Sequence, residues 1–188
     1  MKKKMTKGNK KVLNFRELVQ RYERFGENVA FKYKKDGKIK EITYKQYVED
    51  IKKVAEKILS SDAKRVAVIG NNRYEWCITY LGVTTAGKVI VPLDKALTDK
   101  EIEKLLKRSN VDVVVYDEKY ENAISEAIKQ GCNIKYKICM DNIQKDGVLE
   151  FSKMLKDGED IIKSGDTKYD DVKINEDEMY IMLFTSGT

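Results

Sequence analysis

VAVIGNNRYEWCITYLGVTTAGKVIVPL, residues 66–93, reads as a strand, a helix and a second strand in that order. Val66 to Ile69 is a short β-branched run of the kind that fills a sheet covered on both faces. Asn72 with Glu75 has the spacing of an N-cap and its third-position partner, and opens a helix through Trp76, Tyr80, Leu81 and Val83 that stops at Gly87. Val89 to Leu93 then returns to an apolar strand. The alternation continues downstream. Thr98 with Glu101 is a capping box ahead of Ile102, Leu105 and Leu106, and Val111 to Tyr116 is a third strand. Asp117 begins a helix carrying Tyr120, Ala123, Ile124, Ala127 and Ile128 that closes at Gly131, and Ile134 to Cys139 is a fourth strand. Strands separated by capped helices are βαβ units, so the fold class is α/β, a layered parallel sheet with flanking helices and right-handed crossovers.

Upstream of this pattern, Asn14 to Arg24 has helical spacing through Phe15, Leu18, Val19 and Tyr22. Val29 to Tyr33 and Ile39 to Thr43 flank an Asp36-Gly37 pair, the signal of a small N-terminal β-hairpin. Thr43 with Gln46 then caps a long amphipathic helix that ends near Ser60. Downstream, Asp141 to Asp177 shows a short helix around Val148 to Leu155 and otherwise a polar surface connection. Glu178 to Phe184 has a buried-strand pattern and leads directly into Thr185-Ser186-Gly187-Thr188.

A chain of 188 residues, 41% hydrophobic and without internal repeats, fits one domain. Its 36% charged residues and net charge of +6 read as a lysine-rich surface mixed with Asp and Glu, which suits a soluble protein. Residues 1–11, MKKKMTKGNKK, read as a basic, flexible, solvated tail; no apolar region follows, so it is not a secretory signal. No window is apolar for long enough to span a bilayer. Cys77, Cys132 and Cys139 lack the spacing of a zinc site or disulfide framework, and read as reduced core thiols of a cytoplasmic protein. The absence of histidine removes the commonest general base. Dispersed basic residues with no interleaved aromatic stripe argue against nucleic acid as a partner.

Several residues invite a chemical reading that a structural one outweighs. Gly82 to Lys88 spells G-x-x-x-x-G-K, yet Val89 stands where a Walker loop needs Ser or Thr, and the segment runs from helix to strand instead of the reverse. Trp76 and Tyr80 share a helix face with Leu81 and Val83 and read as core aromatics. Pro92 reads as the end of a strand, and Arg73, in a first helical turn, as exposed. Asp170-Asp171 and Glu176-Asp177-Glu178 lie in the polar connector and read as solvated, not as metal ligands. Hydroxyls and a glycine after a parallel strand are what an anion-binding loop needs, but Thr185 to Thr188 would also make an ordinary turn.

A resemblance bears on that choice. Leu183 to Thr188, LFTSGT, resembles the opening of the T-S-G-T-T-G-x-P-K loop of the adenylate-forming, AMP-binding superfamily. Ala86 to Asp94 is similar to that family's A-G-x-x-x-V-P-L-D segment. Asn71 to Trp76 resembles the N-x-x-E-W stretch of its fatty acyl-CoA synthetase branch, and Ile42-Thr43-Tyr44 its T-Y-x-x-L entry, with Tyr47 in place of Leu. The resemblance implies an ATP-dependent acid–thiol ligase, with ATP, Mg2+ and coenzyme A as cofactors and a small carboxylic acid, a fatty acid in this branch, as substrate. It implies that residues 12–188 form the N-terminal subdomain of a synthetase, that the sequence ends within the phosphate-binding loop, and that the missing remainder of the synthetase is a partner. Thr185, Ser186, Gly187 and Thr188 are the only positions it marks as functional, embracing the β- and γ-phosphates of ATP. The family's later adenine, ribose and catalytic-lysine motifs have no counterpart in this sequence. A stand-alone α/β binding module with TSGT as a tail is the alternative.

Overall fold

The computed structural model describes residues 14–185 apart from 36 and 142, and the basic tail of residues 1–11 lies outside the described residues. Asn14 accepts the Glu17 amide at 3.0 Å and starts α1, Phe15–Tyr22. Strands β1 (Val29–Lys35) and β2 (Lys38–Thr43) form the expected antiparallel hairpin. Thr43 then caps α2, Tyr44–Leu59, by accepting the Gln46 amide.

The central sheet has five parallel strands, in the order β4 (Val89–Leu93), β3 (Arg65–Ile69), β5 (Val113–Tyr116), β6 (Tyr136–Cys139) and β7 (Val148–Glu150). Between them run α3 (Tyr74–Thr85), α4 (Asp99–Ser109) and α5 (Glu121–Lys129), and α6 (Phe151–Ser164) follows β7. Side chains alternate along the strands between two buried layers. Val66, Val68, Val113, Val115 and Ile138 join residues of α2, α3 and α6, whereas Ala67, Ile69, Val114, Tyr116 and Cys139 join those of α4 and α5. From β3 to β4 the chain steps one way across the sheet with α3 on one face. From β4 to β5 and on to β6 it steps the other way, with α4 and α5 on the opposite face. That exchange of faces is what crossovers of a single hand require.

The G-x-x-x-x-G-K stretch is the end of α3 and the turn that leads into β4. Gly87 adopts φ +68 just past the Ala86 C-cap, and Gly82 is buried so closely under α2 that a Cβ there would stand 2.5 Å from Val54 Cγ1. Trp76 and Tyr80 stack on each other at 5.4 Å, partly buried against the α1–α3 layer.

Asn72 does not cap α3; Arg73 occupies the N-cap position, and Glu75 turns sideways to bind its guanidinium at 2.8 Å. The stretch from Val148 holds a fifth strand and a helix running to Ser164, far longer than the short helix expected. Within the polar connector, Arg16 donates to the Tyr169 and Thr85 carbonyls, and the Glu56 carboxylate accepts the Lys168 and Tyr169 amides, so this return path is held by buried charge and not by apolar periodicity.

Glu178 to Phe184, expected as a buried strand, makes a single parallel bridge, Ile90 to Ile181, and leaves Met179 49% and Leu183 67% exposed. Ile90 donates to the Tyr180 carbonyl at 2.9 Å and accepts the Met182 amide at 2.9 Å, so both its backbone groups face this segment. The next residue of β4 facing the same way is Pro92, which has no N–H to offer the Met182 carbonyl. The ladder stops there. Pro92 thus lies inside β4, opposite Val68, instead of ending it.

Candidate functional site

All five strands are parallel, so their carboxyl ends share one edge, and in doubly wound sheets ligands settle at that edge where the strand order reverses. Here the reversal lies between β3, whose chain leaves into α3 on one face, and β5, whose chain leaves into α5 on the other. Gly70 follows β3, Asp117 follows β5, and Met140-Asp141 follow β6.

That crevice is closed by the protein's own charges. Arg73 donates through Nη1 to Asp117 at 3.1 Å and Asp141 at 2.7 Å, through Nη2 to the Met140 carbonyl at 2.9 Å, and through Nε to Glu75. Asp117 also accepts the Asn71 amide at 2.7 Å, and Asp141 the Glu118 amide at 2.8 Å. Gly70 lets the Asp117 carboxylate lie against the backbone, since a Cβ there would come within 2.9 Å of it. Burial alone would lower the Arg73 pKa. The hydrogen bonds to Glu75 and Asp141 outweigh it and hold the guanidinium above its ordinary value. Arg73 is therefore a clasp on three strand ends, not the exposed residue expected.

A second charged cluster lies on the α5 face. Glu121, 6% exposed, accepts Lys137 at 2.7 Å, Lys145 at 2.9 Å and Ser125 at 2.8 Å, and the Tyr116 hydroxyl binds its other oxygen. Burial alone would raise its pKa; the hydrogen bonds from Lys137, Tyr116, Lys145 and Ser125 reverse that and bring it from an ordinary 4.5 down to about 2. A depressed carboxylate stabilises the fold fully above its unfolded pKa and stops doing so as pH falls through its folded one. Stability should therefore fall by roughly 3 kcal/mol between about pH 4.5 and 2 through this group alone. Glu121→Gln should be less stable than the parent at pH 7 and lack that part of the acid slope in urea titrations. Parallel pH profiles for the two proteins would contradict the cluster.

Of the sequence-marked positions only Thr185 is among the described residues. Because Ile181 pairs in parallel with Ile90, the segment leaves β4 heading towards the carboxyl edge, where Thr185 is exposed. Met182 and Phe184 pack towards the α4–α5 layer and Ile181 towards the other, which keeps strand-like alternation without a ladder. Arg108 lies over the Phe184 ring at 5.7 Å. Ser186, Gly187 and Thr188 lie outside the described residues. Among the described residues no three His, Cys, Asp or Glu side chains gather as a metal site, and no helix is long and apolar enough to cross a membrane. Cys77, Cys132 and Cys139 are free thiols, and burial pushes Cys139 up to about 11, which makes it a poor nucleophile.

The match to the family described as AMP-binding enzyme runs over residues 18–188. The chain belongs to that family. Its relatives include acyl-CoA ligases: a medium/long-chain fatty acid and 3-oxocholest-4-en-26-oate CoA ligase of Mycolicibacterium smegmatis is 24% identical over 156 residues, 79% of this chain and 27% of that protein. A polyketide synthase–nonribosomal peptide synthetase of Phaeosphaeria nodorum is 28% identical over 97 residues, 50% of this chain and 2% of that protein. Among solved structures, coronafacic acid ligase from Pectobacterium brasiliense superposes with a TM-score of 0.73 at 17% identity, over 91% of this chain and 33% of that one. This chain therefore spans about a quarter or less of these two relatives and a third of that structure. The AMP-binding fold accounts for the parallel sheet, the flanking helices and the small antiparallel hairpin together.

Sequence reasoning missed the Arg73 clasp. The available signal was positional: Asp117 and Asp141 each follow a strand, and Arg73 precedes a helix that leaves the same edge.

Proposed function

We propose that this chain is the front part of an ATP-dependent acid–thiol ligase, in which residues 12–188 form the N-terminal subdomain and Thr185, Ser186, Gly187 and Thr188 open the phosphate-binding loop. The observation that carries this reading is the parallel bridge of Ile181 to Ile90, which directs the segment ending in Thr185 to the carboxyl edge of the sheet, while the Arg73 clasp fills the alternative crevice. The enzyme acts in the cytoplasm on a carboxylic acid, a fatty acid by its likeness to the ligase relatives. An acid oxygen attacks the α-phosphorus of ATP, an acyl-adenylate forms and pyrophosphate leaves. The thiol of coenzyme A then attacks the activated carbonyl, a thioester forms and AMP leaves. The hydroxyls of Thr185, Ser186 and Thr188 and the backbone N–H groups beside Gly187 suit oxygens that gain charge as pyrophosphate departs. Magnesium is the partner of those phosphates; none of its ligands is assigned to the described residues.

The test is pyrophosphate release by the protein that carries this chain, with ATP, magnesium, coenzyme A and acids of graded length. Acid-dependent release is expected, with thioester formed only when coenzyme A is present. Ser186→Ala should lower kcat by about two to three orders of magnitude if its hydroxyl holds the leaving group. The 188-residue chain alone should show no sustained turnover, because the family's lysine and adenine motifs are absent from it. Release that ignores the acid, or full activity in Ser186→Ala, would defeat the assignment.

A further inference from the structure

The segment beyond the polar connector is paired on one side only. Ile90 donates to the Tyr180 carbonyl and accepts the Met182 amide, so Ile181 between them turns its own N–H and C=O away from β4. Neither group has a hydrogen-bond partner among the described residues. Free backbone donors and acceptors at a sheet edge are a template for another strand.

One face beside that edge is open as well. Ile181 packs towards the layer that holds α1, α2 and α3, and by strand alternation Met179 and Leu183 stand on the same side, 49% and 67% exposed. An apolar groove runs next to them, lined by Phe15 and Leu18 of α1, Thr84 of α3, Ile174 and Ile181. Exposed apolar side chains, a groove and an unpaired backbone edge therefore meet at one place.

We propose that this edge and groove seat the sequence that follows Thr188, an inference that rests on the reading of this chain as the front part of a ligase. The occupant is a parallel strand on the outer edge of residues 179–183, reached through a helix that fills the groove. Length supports it: this chain covers 33% of coronafacic acid ligase and 27% of the Mycolicibacterium smegmatis ligase, and the family match runs to residue 188. Handedness selects the face. A strand added outside residues 179–183 continues the step taken from β3 to β4, whose connecting helix α3 packs in the same layer as Ile181. A parallel partner needs a crossover of a dozen or more residues, and a crossover of the same hand places its helix on that face, over the groove, Met179 and Leu183. A second copy of this chain fits less well. Pairing two such edges about a two-fold axis would set one groove beside another, with no helix to fill either.

The experiment is amide hydrogen exchange, read by mass spectrometry, on the longer protein that carries this chain and on the 188-residue chain. In the longer protein residues 179–184 should exchange about 100-fold more slowly than in the chain alone and approach the rate of β3. Leu183→Asp should lower the Tm of the longer protein by several degrees and leave the 188-residue chain at its parental value, because Leu183 is exposed there. Equal exchange at residues 179–184 in the two proteins, or a Leu183→Asp change without effect in the longer one, would overturn the proposal. Protection in the 188-residue chain that grows with its concentration would give the edge to a second copy and overturn it too. Exchange needs no turnover, so the two readings fail separately. Acid-dependent pyrophosphate release with residues 179–184 unprotected keeps the ligase and removes the seat; protection without release does the reverse.

Discussion

Gly158→Ala is expected to destabilise the protein by on the order of 3 kcal/mol, although the substitution normally favours a helix. Gly158 lies inside α6, where alanine would by propensity gain about 1 kcal/mol over glycine. Packing reverses the sign. A Cβ at this position would stand 2.1 Å from the Lys53 carbonyl oxygen, 2.7 Å from its carbon and 2.9 Å from the Lys53 Cα. These are backbone atoms of α2, so no rotamer change can make room, and α6 must move away from α2 as a body. That movement would open the packing of Met154 and Phe151, both buried, and stretch the Lys57–Asp157 ion pair from 2.9 Å. Urea and thermal unfolding of Gly158→Ala should be compared with Ser152→Ala, an exposed position on the same helix, which should shift stability by less than about 0.5 kcal/mol. A Gly158→Ala protein as stable as its parent would mean that α6 does not lie against α2 at this distance.

The same glycine explains why α6 is hard to read from sequence while the sheet before it is easy. Strands covered on both faces need short β-branched runs, and Val66–Ile69, Val89–Leu93 and Val113–Tyr116 declare themselves, as does the Thr98–Glu101 box, found closed in both directions. In α6 the residue that decides the packing has no side chain, so it weakens the helical signal at the point of closest contact. β7, three residues long, offers too few positions for any period to show. The terminal segment fails in the opposite way. Its composition is that of a buried strand, but whether a ladder forms depends on a donor that Pro92, some ninety residues earlier, does not have. Resemblance alone marks Thr185 to Thr188, because Ser, Thr and Gly are common to anion loops and to turns.

Arg73→Ala should cost about 3–5 kcal/mol, the range for removing one member of a buried ion cluster, because it leaves Asp117, Glu75 and Asp141 facing one another without a cation. The weight falls on Asp117, whose side chain is 7% exposed; Asp141, at 37%, can recover water and contributes little. Arg73→Lys should recover only part of the loss, since one ammonium cannot reach two carboxylates, a third and the Met140 carbonyl from the directions a planar guanidinium serves. A second substitution separates lost attraction from stranded charge. If the main cost is an unpaired Asp117, then Arg73→Ala combined with Asp117→Asn should be more stable than the sum of the two single changes predicts, by about 1 kcal/mol or more. The clasp joins residues 44 and 68 positions apart in the chain and ties the exits of β3, β5 and β6. Its loss should therefore loosen the whole carboxyl edge, read as faster amide exchange at Asn71, Asp117 and Glu118 than at the β3 centre. Additive stability changes with exchange confined to position 73 would reduce Arg73 to a solvated surface pair.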